Sequence, residues 1–297
     1  MAILVSLWEL QVRFEKLYFS DQNLDADYQW EDEYLCSQTF SGMVSDSRNN
    51  SRPMVNNVNN DVANSRNYPV DTDLRINRQF DNIAYNKAGS IMLMIRALIG
   101  DELWTEGLSN YLNTRKFQTA TWDQLLVFWD DAVKGSSDEN LLNLEGRTIT
   151  QIFEPYFRQM GVPALIVALN GSKLSIKTDR FLSRKVDNKA WPKSSFEYKW
   201  DIPLVVKYPS GDKIHWLEDA GLTEQTYEID LEDSEFVLDP EANIWCRINF
   251  DMNYISKMVQ NKDQLTPRHI TKVMQDQYQM LTSDYADQYE VSGPNLE

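Results

Sequence analysis

A chain of 297 residues, 42% apolar and 12% aromatic, matches about two average domains and can bury roughly 75% of its unfolded surface, so it needs no disulfide staples. With 29 Lys and Arg against 45 Asp and Glu, the formal charge of −16 argues against nucleic acid or an anionic membrane as the main partner. It would attract cationic peptides, although acidity also serves plain solubility.

The opening "MAILVSLW" is apolar but has neither the basic flank nor the length of a signal peptide, and no run approaches a membrane span. The chain therefore reads as unexported, with its compartment left open. Cys36 and Cys246 lie far apart and specify neither a disulfide framework nor a metal cluster.

In chain order, "SLWELQVRFEKLYF" places Leu7, Leu10, Phe14 and Leu17 on one helical stripe, and a second helical piece surrounds "QWEDEYLCSQTFSGMVS". The Asn-, Ser- and Pro-rich "DSRNNSRPMVNNVNNDVANSRNYP" reads as a long surface loop. From Asp81 to Ile99 the apolar residues Ile83, Ala84, Ile91, Met94, Ile95, Leu98 and Ile99 recur at helical spacing, and Gly100 supplies the stop. Asp101 then opens "DELWTEGLSNYLNT", Thr121 opens "TWDQLLVFWDDAV", and "ITQIFEPYFRQMG" ends on Gly161. Acidic pairs such as Asp130-Asp131 are expected on solvated helix faces.

At Gly161 the period changes from 3.6 to 2. "PALIVALNGSKLSIKT" is a hairpin around Asn-Gly, and "WDIPLVVKYPSGDKIHWLE" repeats that plan with a Pro-Ser-Gly-Asp turn. "QTYEIDL" and "NIWCRINFD" bring the total to about seven short strands over 162–250, expected to form a small β-sandwich. Helices return after Asp251, with Thr266 as N-cap and Pro267 at the first helical position of "LTPRHITKVMQDQYQML". The fold class is α+β and multidomain, with boundaries at 1–160, 161–250 and 251–297.

Several separated blocks resemble the aminopeptidase N family of zinc exopeptidases. Phe80-Asp81-Asn82-Ile83-Ala84-Tyr85-Asn86-Lys87-Ala88-Gly89 is similar to that family's "FD.I.Y.KGA", and Gly107-Leu108-Ser109-Asn110-Tyr111-Leu112 to its "GL..YL". Gln159-Met160-Gly161-Val162-Pro163 resembles "Q.GYP...V", and Ile244-Trp245-Cys246-Arg247-Ile248-Asn249-Phe250-Asp251 resembles "GFYRVNYD". The resemblance implies the helical lobe of a thermolysin-like catalytic domain over 1–160, then a β-sandwich, then the start of a superhelical domain.

The resemblance makes Tyr85 the phenol that donates a proton to the oxygen of the tetrahedral intermediate. Read from the residue alone, Tyr85 is a core tyrosine with its hydroxyl on a backbone carbonyl. Lys87 either hydrogen-bonds near that hydroxyl or, as the favoured expectation, lies in solvent, and Ala88-Gly89 reverses the family's Gly-Ala order. Trp8-Glu9-Leu10-Gln11-Val12-Arg13-Phe14 matches the family's "NEGFARF" at three positions, which implies Glu9 as the zinc-binding carboxylate; by itself it is a solvated helix charge. A zinc site of this kind also needs two histidines one helical turn apart beside a Glu, and the chain has only His215 and His269, neither in an "HExxH" frame. The "GAMEN" stretch is absent as well.

Two readings follow. In one, the chain is the later half of an aminopeptidase N-type peptidase that acts on free peptide N-termini and is inactive without an upstream zinc-binding segment. In the other, it is a noncatalytic descendant that binds a protein partner or pairs with itself. Relatives are commonly anchored ectodomains, but no anchor is visible here.

Overall fold

The computed structural model describes residues 30–55, 73, 77, 79–136, 144, 146–184, 186–221 and 225–283. Two units emerge: a helical one of Met1–Gly42 with Pro69–Phe157, and a sheet-bearing one of Met43–Tyr68 with Arg158–Glu297. The expected helix around Leu7 to Leu17, and Glu9 with it, lies outside the described residues.

The first described helix is α1 (Trp30–Tyr34), which runs through a π-turn (Leu35–Thr39) into α2 (Phe40–Asp46). A second π-turn, Ile83–Lys87, leads directly into α3 (Ala88–Arg115). Gly100 ends the first helical run as its sequence position foretells: it takes φ 79°, ψ 165°, a left-handed kink that glycine tolerates because it has no Cβ. The helix resumes at Asp101.

α4 (Trp122–Gly135) begins at Thr121, whose N–H donates to Gln124 Oε1 at 3.1 Å. Trp104 of α3 stacks on Trp129 of α4 with ring centroids 4.3 Å apart, and Trp129 Nε1 donates to the Trp104 carbonyl at 3.1 Å. Gly107 permits this approach, because a Cβ there would run into the Trp129 indole. The family-like "GL..YL" thus marks a helix contact.

α5 (Ile149–Arg158) is fastened at its start by Asp130, which accepts from Thr150 N at 3.1 Å and Thr150 Oγ1 at 2.6 Å. Asp130 is therefore a half-buried tether rather than the solvated charge its sequence suggests, since the first turn of α5 leaves a backbone N–H that the carboxylate satisfies.

In the sheet-bearing unit seven strands are described: β1 (Val162–Asn170), β2 (Lys173–Phe181), β3 (Lys199–Tyr208), β4 (Gly211–Gly221), β5 (Thr226–Asp230), β6 (Val237–Leu238) and β7 (Arg247–Phe250). They make one sheet ordered β5-β2-β1-β7 and a second ordered β4-β3-β6. The two hairpins predicted from turn chemistry are present, β1–β2 closing at Asn170↔Lys173 and β3–β4 at Tyr208↔Gly211. β7 joins β1 in parallel.

The family-like residues of this unit hold structure. Gln159 donates to the Lys199 carbonyl at 2.7 Å and accepts from Tyr198 N at 3.0 Å and Ser194 Oγ at 2.8 Å, fixing the entry to β3. Asp251 caps α6 (Met252–Gln260) by accepting from Tyr254 N at 2.8 Å, and its other oxygen takes Leu169 N at 3.0 Å. Arg247 donates to Asp276 of α7 (Pro267–Thr282) at 2.8 Å. Lys272 bonds the same carboxylate at 2.6 Å and the Cys246 carbonyl at 2.9 Å, so a buried cation–anion cluster welds α7 to β7.

One more sequence expectation needs correction here. The start of the supposed surface loop is buried: Asp46, Ser47, Ser51, Arg52 and Met54 are all inside. Polar atoms survive there because they pair, Ser51 Oγ with Asp46 at 2.7 Å and Ser183 N with the Ser47 carbonyl at 3.0 Å. The remainder of that stretch, 56–69, lies outside the described residues.

Candidate functional site around Tyr85

The π-turn Ile83–Lys87 is built from its N-terminal side by Asp81. Its carboxylate accepts from both Ile83 N and Ala84 N at 3.0 Å, while its carbonyl takes Tyr85 N at 3.1 Å. One acidic residue therefore satisfies three amides at the mouth of a long helix, where anions are also favoured by the helix dipole. The i→i+5 bonding then runs from Lys87 N to Asn82 O at 3.0 Å and from Ala88 N to Ile83 O. Single π-turns of this type recur at functional sites because they turn one side chain out of helical register.

Tyr85 is the residue turned outward. It is 41% exposed, with its ring 6.3 Å from the exposed ring of Phe80. The bare-residue expectation of a core tyrosine is thus overturned: the phenol is presented to solvent from a backbone pinned by Asp81. Chemically it is a hydrogen-bond donor on a fixed base.

Lys87 goes the other way. It is fully buried, against the expectation of a solvated ammonium. The signal was present in the sequence, because Ile83, Lys87, Ile91 and Ile95 fall four apart and so share the buried stripe of the helix.

The turn is braced from behind. Ser90 Oγ donates to the Asn86 carbonyl at 2.7 Å and pairs with Thr39 Oγ1 at 2.9 Å. Gly89 faces Tyr34, whose hydroxyl occupies the space a Cβ would need. Burial pushes the Tyr34 phenol far up, partly offset by its bond to Ser90. The departure from the family's Gly-Ala order therefore keeps a close approach, with the bare backbone placed at position 89. Tyr34, Thr39 and Ser90 were not singled out from sequence, since a Tyr–Gly contact across such a separation has no local pattern.

Among the described residues no group of three or more His, Cys, Asp and Glu side chains comes together to hold a metal ion. The described residues do not by themselves fit zinc. His269 sits in the first turn of α7 with Nδ1 3.1 Å from the Asp239 carbonyl, and burial pushes its pKa down. His215 lies half-buried on β4, also lowered by burial. Glu9, the other residue proposed for zinc, lies outside the described residues. Among those described, no helix is long and apolar enough to cross a membrane.

Mixed helices and sheets, with a phenol at a π-turn opening a buried helix, agree with the class suggested by the motifs. Residues 7–156 match the peptidase family M1 domain, half of the chain, and the chain belongs to that family. It is 25% identical to human endoplasmic reticulum aminopeptidase 2 over 306 residues, covering 89% of this chain and 30% of that protein. It is 36% identical over 106 residues to probable aminopeptidase 2 of Sulfurisphaera tokodaii, 36% of this chain and 12% of that one. With aminopeptidase N of Haemonchus contortus it shares 26% over 232 residues, 75% of this chain and 23% of the other. The chain thus spans less than a third of the length of these relatives.

Proposed function

We propose that the chain carries the oxyanion-stabilising part of an aminopeptidase N-type zinc exopeptidase, with Tyr85 donating its phenol hydrogen to the tetrahedral oxygen formed on a peptide with a free N-terminus. The observation that supports this is the exposed phenol on a turn whose three amides are held by Asp81. A donor fixed before the reaction meets charge as it develops, without reorganising, an effect worth roughly 3 to 4 kcal/mol at such sites.

In this reading residues 1–160 are the helical lobe of a thermolysin-like catalytic domain, 161–250 a β-sandwich, and 251–297 the start of a superhelical domain. Glu9 would supply one carboxylate to a zinc ion whose other ligands come from an HExxH-bearing segment, and zinc there would polarise the scissile carbonyl and activate water. The 297 residues hold two histidines and no HExxH, so by itself the chain is catalytically deficient.

The test is hydrolysis of an aminoacyl-anilide by the chain alone, and by the chain mixed with the separately produced HExxH-bearing segment of an M1 aminopeptidase, with zinc content measured on the same samples. Only the mixture is expected to turn over, and Tyr85→Phe should lower its rate by about 10² to 10³ with zinc unchanged. A Tyr85→Phe mixture at full rate would remove Tyr85 from the mechanism, and turnover by the chain alone would overturn the deficiency.

The absence of an HExxH pair also favours a second reading, a noncatalytic protein that binds partners through its surface. It predicts no turnover in any mixture.

A further inference from the structure

We propose that the helical unit binds a small aromatic carboxylate in a cavity between the C-terminal end of α3 and the start of α4. The cavity measures about 460 Å³, and its lining includes Met92, Tyr111, Arg115, Phe117, Trp122 and Phe157. An apolar cavity of roughly 150 Å³ is enough for a benzene ring, so the space here suits a fused ring with a charged substituent.

The aromatic specificity comes from the walls. Trp122 stacks on Phe157 with centroids 5.3 Å apart, a preformed face for a flat ligand. Phe117 stands fully exposed in the loop after α3, at φ 63°, a left-handed conformation that a bulky residue rarely adopts. A ring held in that way beside an aromatic cavity is one whose exposed face a second ring would cover.

The charge comes from Arg115 and Lys116. Arg115, half-buried at the end of α3, lines the cavity and places a guanidinium charge at its wall. Burial pushes the Tyr111 phenol up, and the Arg115 charge pulls it back down, so the guanidinium field reaches the cavity wall. Lys116 adds a second, exposed cation, and none of the described residues lining the cavity is acidic. In a chain with 45 acidic and 29 basic residues this is a local reversal of sign. A carboxylate answers it by forming a charge-assisted hydrogen bond with a cation of the wall. The inference is independent of the role assigned to Tyr85.

Calorimetric titration of the full chain with 2-naphthoate and with neutral 2-naphthamide tests it, alongside Arg115→Gln and Ala120→Trp, the latter filling the cavity from an exposed lining position without touching the charge. Naphthoate is expected to bind about tenfold more tightly than the amide, as a hydrogen bond to a charged group implies. Arg115→Gln should erase that preference, and Ala120→Trp should weaken both ligands. Equal binding of acid and amide by the unmodified chain, a preference that survives Arg115→Gln, or no naphthoate binding at millimolar concentration overturns the proposal. The acid–amide comparison needs no variant, so it stands even if a substitution disturbs folding.

Discussion

Gly89→Ala sets two effects of opposite sign against each other. On propensity alone the change should stabilise α3 by about 1 kcal/mol, because glycine is the poorer helix former. Packing opposes it. The new Cβ would fall on the Tyr34 hydroxyl, with the ring Cζ only 3.1 Å away, and Tyr34 is a buried ring with little room to move. Overpacking of this kind costs about 1 to 3 kcal/mol, and displacing the hydroxyl also breaks its bond to Ser90, worth about 1 kcal/mol more. The sum is a net loss of about 2 kcal/mol. In a Tyr34→Phe background the clashing oxygen is gone and the nearest atom is Cζ, which needs to yield only a few tenths of an ångström. There Gly89→Ala should be close to neutral, giving a coupling energy of about 2 kcal/mol in the double-mutant cycle. Urea unfolding of the four chains, read from the transition of the helical unit, measures it. Stabilisation by Gly89→Ala in the otherwise unmodified chain, or additive behaviour in the cycle, would refute the packing argument. Restoring the family order with Ala88→Gly and Gly89→Ala should be worse again, since it adds a helical glycine to the same clash.

Two further outcomes concern the sheet-bearing unit. Burial pushes the Asp239 carboxyl up to about 6, with Lys272 and the amides of Asn243 and Ile244 opposing the rise. A carboxyl raised in the folded state contributes stability that is full below its unfolded pKa and lost as pH rises through about 6; Asp239→Asn, which cannot titrate, should therefore gain about 2 kcal/mol on the parent between pH 4 and pH 7. A pH-independent difference in their urea midpoints would contradict this. Thr266 Oγ1 accepts from His269 N at 3.1 Å as the cap of α7, so Thr266→Ala should cost about 1 kcal/mol and Thr266→Ser should recover most of it, measured as thermal midpoints.

Local signals carried most of the secondary structure. Asn170-Gly171, Thr121, Gly100 and Thr266-Pro267 each impose a backbone geometry within a few residues, and each sits at the turn, cap or break that its chemistry demands. The misreadings came from residues whose environment is set at long range. Asp130 looked solvated because its partner, Thr150, begins a different helix. The polar composition of Asp46 to Arg52 reads as a surface loop, because composition does not reveal the pairs that allow burial, such as Ser51 with Asp46. Lys87 is legible in principle, since its four-residue spacing from Ile83 and Ile91 outranks its charge and places it on the buried stripe. Of the candidate site, Tyr85 and Asp81 follow from the motif, whereas the π-turn that turns the phenol outward leaves no mark in hydrophobic spacing.

The two histidines sharpen what the site requires. His269 is committed to the Asp239 carbonyl at the start of α7, and His215 is paired within β4 opposite Leu204, so each imidazole belongs to the sheet-bearing unit. Burial holds both below the usual imidazole range, a condition under which they remain neutral parts of a packed structure. Neither is one helical turn from another histidine, the spacing that zinc of this type demands. Under the proposed function, the histidines of a zinc site at Tyr85 would come from a separate HExxH-bearing segment. The phenol and its bracing by Asp81, Thr39, Ser90 and Gly89 do not depend on that supply, because the described contacts that orient them join residues of the helical unit.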